Sequence, residues 1–405
     1  MHFTTHHDLA IDAKVQSDLD AIKQGVLSVM GDEVGSILLT GGFGRGEGSV
    51  EVTDGRVRVI NDYDILVTPR TKSRWGYARL YRRFHRRLAE LAEALAQRLE
   101  MKQVDLVLKP ASYFTGNDGL KIGNYEVQHG HYLLFGEEDP CQHMPAWRAE
   151  DIPLFEGTWL FRNRGLGLLI AGRYFIGQPS LPEANRENFV IECNKAQLAM
   201  GDSLLLLKRS YHHLYSERLR LIEGVDLTKV PNGARVAAHY TEALEQKLRP
   251  EFDRFYRRDL PAWWRDVVSL FDEFYRWFEA KRLGRAFSDW LVYERIPKPE
   301  DGVNWRVLAG NVVRDGMKLV RPENWRLSLT KARRSQSVRI VALLLFCAKE
   351  PSLNERYLQR AAGMLSLRRS GDLVQDWQRL TNRLLWLLHP AGEAGRVATG
   401  GLPGH

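Results

Sequence analysis

Residues 37–67, ILLTGGFGRGEGSVEVTDGRVRVINDYDILV, leave this chain few ways to fold. The apolar run Ile37–Leu39 reads as a buried strand, and it breaks into Gly41, Gly42, Phe43, Gly44, Arg45, Gly46 and Glu47. Glycine at three of four positions lets the backbone turn sharply and present bare N–H groups to a ligand. A hairpin pattern follows, with Val50 and Val52, the turn pair Asp54-Gly55, then Val57 and Val59. The returning strand carries Asp62 and Asp64 just ahead of Ile65, Leu66 and Val67. Side chains two apart on a strand share a face, so two carboxylates stand together beside a glycine turn. Such a pair can hold a divalent metal against a phosphate.

Strand, Gly-Gly turn, Arg-Gly-Glu and a delayed Asp-x-Asp together resemble the nucleotidyltransferase fold of the DNA polymerase beta-like superfamily. The run GGFGRGE is closest in flavour to the adenylyl- and uridylyltransferases that modify proteins in nitrogen signalling. The hairpin makes the interval from Arg45 to Asp62 longer than is usual in those regulators. The superfamily needs a third carboxylate on a later strand, and KQVDLVL at 102–108 supplies Asp105. The resemblance covers about the first third of the chain. It implies that Asp62 and Asp64 bind two metals, Mg²⁺ or Mn²⁺, with Asp105 as third ligand or base at the acceptor. It also implies that Gly41 and Gly42 seat the triphosphate of a nucleotide.

The chain has 405 residues, enough for two or three domains with full cores. Its 44% apolar and 27% charged content is that of an ordinary soluble protein. The longest apolar runs, such as 341–348, fall far short of a membrane span, and the N-terminus lacks a signal-peptide pattern. Cys141, Cys193 and Cys347 are odd in number and scattered, which argues against a disulfide framework and for a reducing cytoplasm. A formal net charge of +8, from 58 basic and 50 acidic residues, favours polyanionic partners: a nucleoside triphosphate, an acidic protein or RNA. Nucleic acid is admitted by that charge but not indicated, because the arginines are spread along the chain.

An α+β architecture is expected, with a nucleotidyltransferase domain at 1–140, a linker at 141–155, an all-α domain at 156–390 and a flexible tail at 391–405. In the first domain, helical spacing at 8–30 predicts a helix beside the first strand. His2, His6 and His7 ahead of it read as a flexible terminus. Residues 71–100 read as a basic helix returning to the Asp105 strand, a crossover on a small mixed sheet. Arg82, Arg83, Arg86 and Arg87 on it are expected to be a solvated face. The segment 121–136 reads as a short helix and a closing strand. Beyond 155 the periodicity is helical, with helices expected over 156–176, 186–219, 233–250, 261–283, 336–349, 353–368 and 371–388. Trp159, Trp263, Trp264, Trp277, Trp290, Trp305, Trp325, Trp377 and Trp386 fall in this half and are expected mostly in its core.

One helix is unusual. Over 188–219, Lys195, Asp202 and Arg209 recur every seven residues, with His213 and Glu217 close to the same line. They fall within a stripe about 80° wide on a helix otherwise rich in leucine. Enclosed charges need a partner or a wet cleft. Superfamily enzymes with a helical partner domain commonly bring a lysine from it to the triphosphate. That role would fall to Lys195, with Asp202 holding it or a substrate hydroxyl; the alternative is an ion-pair ladder between helices.

The expected function is metal-dependent transfer of a nucleoside monophosphate from a nucleoside triphosphate to an acceptor hydroxyl, on a protein or small molecule, releasing pyrophosphate. Backbone donors come from Gly41, Gly42 and Phe43, and charge compensation from Arg45 or Lys195. Glu47 is expected to be structural, bonding the turn or pairing with Arg45. Two alternatives are a non-catalytic nucleotide-binding scaffold and an RNA-end or second-messenger nucleotidyltransferase. Rossmann and P-loop folds are excluded by the lack of Gly-x-Gly-x-x-Gly opening a helix and of Gly-Lys-Ser/Thr after a glycine loop.

Overall fold

The computed structural model describes residues 2–53, 55–116, 119–301 and 333–388. Helix α1 (Leu9–Met30) begins where the Asp8 carboxylate accepts the Ala10 and Ile11 N–H groups, and it stops at Gly31 with φ 55°. Its stripe of Ile11, Val15, Leu19, Ile22 and Val26 is buried. The residues ahead of it are tied down rather than flexible. Phe3 packs into the core and donates its N–H to Asp12, and the His2 ring meets the same carboxylate.

Strand β1 (Val34–Thr40) enters a four-stranded mixed sheet of order β5-β4-β1-β6. It lies antiparallel to β4 (Tyr63–Pro69) and to β6 (Tyr132–Phe135), while β4 runs parallel to β5 (Val104–Leu108). The glycine run forms one short helical turn, α2 (Gly41–Gly44), and the expected hairpin is β2 (Val50–Thr53) with β3 (Arg56–Val59). Asp54 of its turn lies outside the described residues. Helix α3 (Arg74–Arg98) makes the crossover from β4 to β5, its Leu80, Phe84, Leu88 and Leu95 buried and Arg82, Arg83, Arg86 and Arg87 exposed.

The central strands are apolar on both faces because both faces are covered. Ile37, Leu39, Ile65 and Val67 pack with α1 and α3. Leu38 and Leu66 face the other way, against Tyr113, Phe114, Cys141 and Met144. Burying each such side chain stabilises by about 1.5–3 kcal/mol, and a slip of one residue would turn each set to the wrong layer. The segment expected as a linker is therefore a packed belt: Cys141 and Met144 cover the sheet, and Ile152 joins the helical core.

Among the described residues everything beyond β6 is helical or irregular. The main elements are α4 (Ile122–His129, ahead of β6), α5 (Phe155–Arg173), α6 (Arg186–Leu207), α7 (Tyr215–Glu223), α8 (Gly233–Leu248), a single turn α9 (Asp253–Tyr256) and α10 (Leu260–Leu283). After α11 (Trp290–Arg295) come α12 (Arg333–Cys347), α13 (Glu355–Leu365) and α14 (Leu373–Leu388). Trp264, Trp290 and Trp377 are fully buried in this core, whereas Trp386 is 36% exposed. Trp305, Trp325 and the tail at 391–405 lie outside the described residues. No described helix is long and apolar enough to cross a membrane.

The helix expected over 186–219 is two helices. It ends at Leu207, Arg209 takes a left-handed φ of 57°, and the chain restarts as α7. Arg209 is exposed and donates to the Glu150 carbonyl at 2.6 Å, so Arg209, His213 and Glu217 do not continue the stripe of Lys195 and Asp202.

Candidate active site

Asp62 precedes β4 by one residue, Asp64 is the second residue within it, and Asp105 is the second residue of β5. The parallel register pairs Asp64 with Asp105, so both point to the face of Leu66 and Val107. One carboxylate oxygen from each of Asp62, Asp64 and Asp105 lies within 4.8 Å of the others. Burial and then the charges of Asp62 and Asp105 push the Asp64 carboxyl well above the usual carboxylate range, while Lys247 and Arg45 pull it back. Such mutual repulsion is what a bound cation relieves.

The glycine turn sits directly on this cluster. Gly41 has φ +65°, and a Cβ there would lie 2.0 Å from Asp64 Oδ2. Thr40 donates its hydroxyl to the Asp64 carbonyl at 3.1 Å, fixing strand end and turn together. Phe43 is buried against Tyr63, with ring centroids 4.7 Å apart, and its ring fills the space a side chain at Gly48 would need. What Phe43 can offer a ligand is thus backbone, not ring.

The turn's charged residues look outward to the helical half. Arg45 does not pair with Glu47; its Nη1 donates to Glu126 at 2.9 Å, and its guanidinium lies over the Tyr215 ring. Glu47 instead accepts the N–H groups of Tyr215 at 2.6 Å and Ser216 at 2.9 Å, plus the Ser216 hydroxyl. It caps the N-terminus of α7 from another part of the chain, where orphan N–H groups favour an anion. Arg218 of α7 is buried between Glu126 and Asp202, and Tyr211 donates to Glu126 at 2.6 Å. Although burial opposes its charge, Arg45, Arg218 and the Tyr211 hydrogen bond hold Glu126 down at about 2.

Lys195 and Asp202 both line a cleft beside the carboxylates, with about 670 Å³ of empty space that includes open solvent. They do not hold one another. Lys195 pairs with Glu192 at 2.9 Å, and Asp202 accepts from Arg218 at 3.2 Å and from Tyr240 at 2.6 Å. Ser49 and Asn61 supply the near wall, while Arg164, Lys195 and Lys247 come from α5, α6 and α8.

Lys247 is the residue that sequence reasoning did not single out. Burial lowers its ammonium to about 8, with Lys195 and Arg45 adding to that and Asp62 and Asp64 opposing it. It therefore stands within electrostatic reach of two of the three carboxylates. In sequence it is an ordinary cation in the last turn of an amphipathic helix, where lysine is favoured anyway.

No family model, no curated protein and no solved structure matches this chain. A second grouping with metal-ligand chemistry is His131, Asp139 and Cys141. There the His131 ring already spans the Val127 carbonyl at 2.7 Å and Asp139 at 2.8 Å, and Asp139 also accepts the Cys141 N–H. Those bonds tie the belt to His131, the residue just ahead of β6.

Proposed function

We propose that this protein is a metal-dependent nucleotidyltransferase that moves a nucleoside monophosphate from a nucleoside triphosphate to an acceptor hydroxyl. The observation that carries the reading is the convergence of Asp62, Asp64 and Asp105 beside a glycine turn with no room for a side chain. The donor set fits a hard cation, being all oxygen and mutually repelling. Asp62 and Asp64, with Asp105, would hold Mg²⁺ or Mn²⁺, which when bound neutralises phosphate charge and makes the acceptor hydroxyl more acidic.

The chain's own groups complete the reaction. Backbone N–H groups at Gly41 to Phe43 bind phosphate oxygens at close range. Lys247, and Lys195 behind it, offset negative charge that builds on the departing pyrophosphate. The acceptor oxygen forms a bond to the α-phosphorus, the bond from that phosphorus to the bridging oxygen of the β-phosphate breaks, and the hydroxyl proton passes to the Asp105 carboxylate. The polymerase beta-like fold and the catalytic role of the first 140 residues belong to the same proposal.

The test is calorimetric binding of the four ribonucleoside triphosphates with Mg²⁺, together with pyrophosphate release in the presence of cell extract. Binding and release by the wild type, both lost in Asp62→Asn/Asp64→Asn, are expected. A folded wild type that binds no triphosphate and releases no pyrophosphate refutes the reading and leaves a scaffold role.

A further inference from the structure

The cleft beside the carboxylates carries more positive charge than the nucleotide chemistry uses. Its charged lining residues are Arg164, Lys195, Lys247 and Asp202. Asp202 is already neutralised by Arg218, and Lys195 by Glu192. Lys247 answers to Asp62 and Asp64. Arg164 is left over: it is half-buried on α5, and among the described residues no carboxylate forms an ion pair with it. Arg164 lines this cleft from α5, whereas Lys247 lines it from α8.

A half-buried guanidinium with no carboxylate partner among the described residues can take its counter-charge from an anionic ligand. Its planar fork matches the paired oxygens of a phosphate or carboxylate. Leu160 of its own helix and Ile191 of α6 add apolar surface to the same lining. Asn61, Asn194 and Gln246 contribute uncharged amides to the same lining.

Resting on the transferase reading, we propose that the acceptor is an anionic small molecule. Its phosphate or carboxylate is held by Arg164, and its hydroxyl is directed toward Asp105. A cationic acceptor is disfavoured by the same charges. The group transferred and the pyrophosphate released are those of the proposed reaction; Arg164 takes no proton and forms no bond.

The first experiment titrates inorganic phosphate into protein saturated with Mg²⁺ and the α,β-methylene form of whichever triphosphate binds, a form that cannot release pyrophosphate. Wild type should bind phosphate in this ternary state. Arg164→Gln should weaken phosphate about tenfold or more, the loss expected for a charged hydrogen-bonded contact, with triphosphate affinity unchanged. Unchanged triphosphate affinity also shows that the variant is folded. Equal phosphate affinity in the two proteins, or a matching loss of triphosphate affinity, overturns the proposal. If the wild type binds no triphosphate at all, the transferase reading itself falls and takes this inference with it, a result distinct from the other two.

The second experiment fractionates the small molecules of a cell extract on an anion exchanger and assays each fraction for acceptor-dependent pyrophosphate release. Acceptor activity in the retained fraction is expected, and activity confined to the flow-through overturns the proposal. Phosphatase treatment of the retained fraction separates the two sources: its loss marks a phosphorylated acceptor, its survival a carboxylate.

Discussion

Gly41→Ala should weaken triphosphate binding by about 10²-fold while leaving the protein folded, and a matched control separates the two effects. Gly41 has φ +65°, a region that costs an L-residue about 1–2 kcal/mol. Its Cβ would also stand 2.0 Å from Asp64 Oδ2, where ordinary contact begins at 3.4 Å. The carboxylate has to retreat by more than an ångström, and the Asp64 backbone cannot follow because its carbonyl is held by Thr40 and its strand lies between β1 and β5. Misplacement of a reacting or binding group by about 1 Å commonly costs about 10²-fold. Gly55→Ala supplies the control, since Gly55 has φ +75° but nothing within 4 Å of its Cβ position. Both variants should lose about 1–2 kcal/mol of stability from backbone strain, read by urea unfolding. Only Gly41→Ala should lose Mg²⁺-dependent triphosphate binding, by about 10²-fold in calorimetry. Equal binding by the two variants, at wild-type strength, would refute the claim that this glycine exists to make room for the Asp64 carboxylate.

Lys247→Met should weaken triphosphate binding by about tenfold or more with the melting temperature nearly unchanged, because it removes a charge facing Asp62 and Asp64 but keeps the stem's bulk. Unchanged affinity would reassign the cationic role to Lys195. Glu47→Ala should cost about 2 kcal/mol or more, since three hydrogen bonds to the start of α7 are lost at once, and limited proteolysis should then cut near residues 208–216. Acid stability divides into two windows. Burial, then His212, His129, Arg45 and Arg218, lowers the His213 imidazole from 6.5 to about 4, so the unfolded chain takes up a proton that the folded chain refuses. Stability contributed by neutral His213 is therefore present above about 6.5 and is lost as pH falls toward 4; His213→Asn should flatten that limb of a stability–pH curve. Glu126, held down at about 2, contributes stability above 4.5 that is lost only between 4.5 and 2, so Glu126→Gln should alter the lower limb.

What the sequence determined by itself is whatever rests on short-range periodicity. The apolar strand, the glycine run, the valine hairpin and Asp62 with Asp64 occupy one 31-residue stretch, residues 37–67, and local pattern was enough to place them. Asp105 was picked out because the resemblance calls for a third carboxylate on a later apolar strand, and parallel pairing sets it opposite Asp64. The tertiary structure decided which charges meet. The seven-residue stripe through Lys195, Asp202 and Arg209 assumed an unbroken helix, and a left-handed Arg209 followed by a cap from Glu47 ended it. Sequence spacing does not record that cap, because its acceptor and donors are about 170 residues apart. Nor does it distinguish Lys247 or Arg164 from other basic residues on amphipathic helices. Their meaning comes from a cleft that exists only once α5, α6 and α8 pack beside the end of the sheet, where charges distant in sequence share one poorly solvated space.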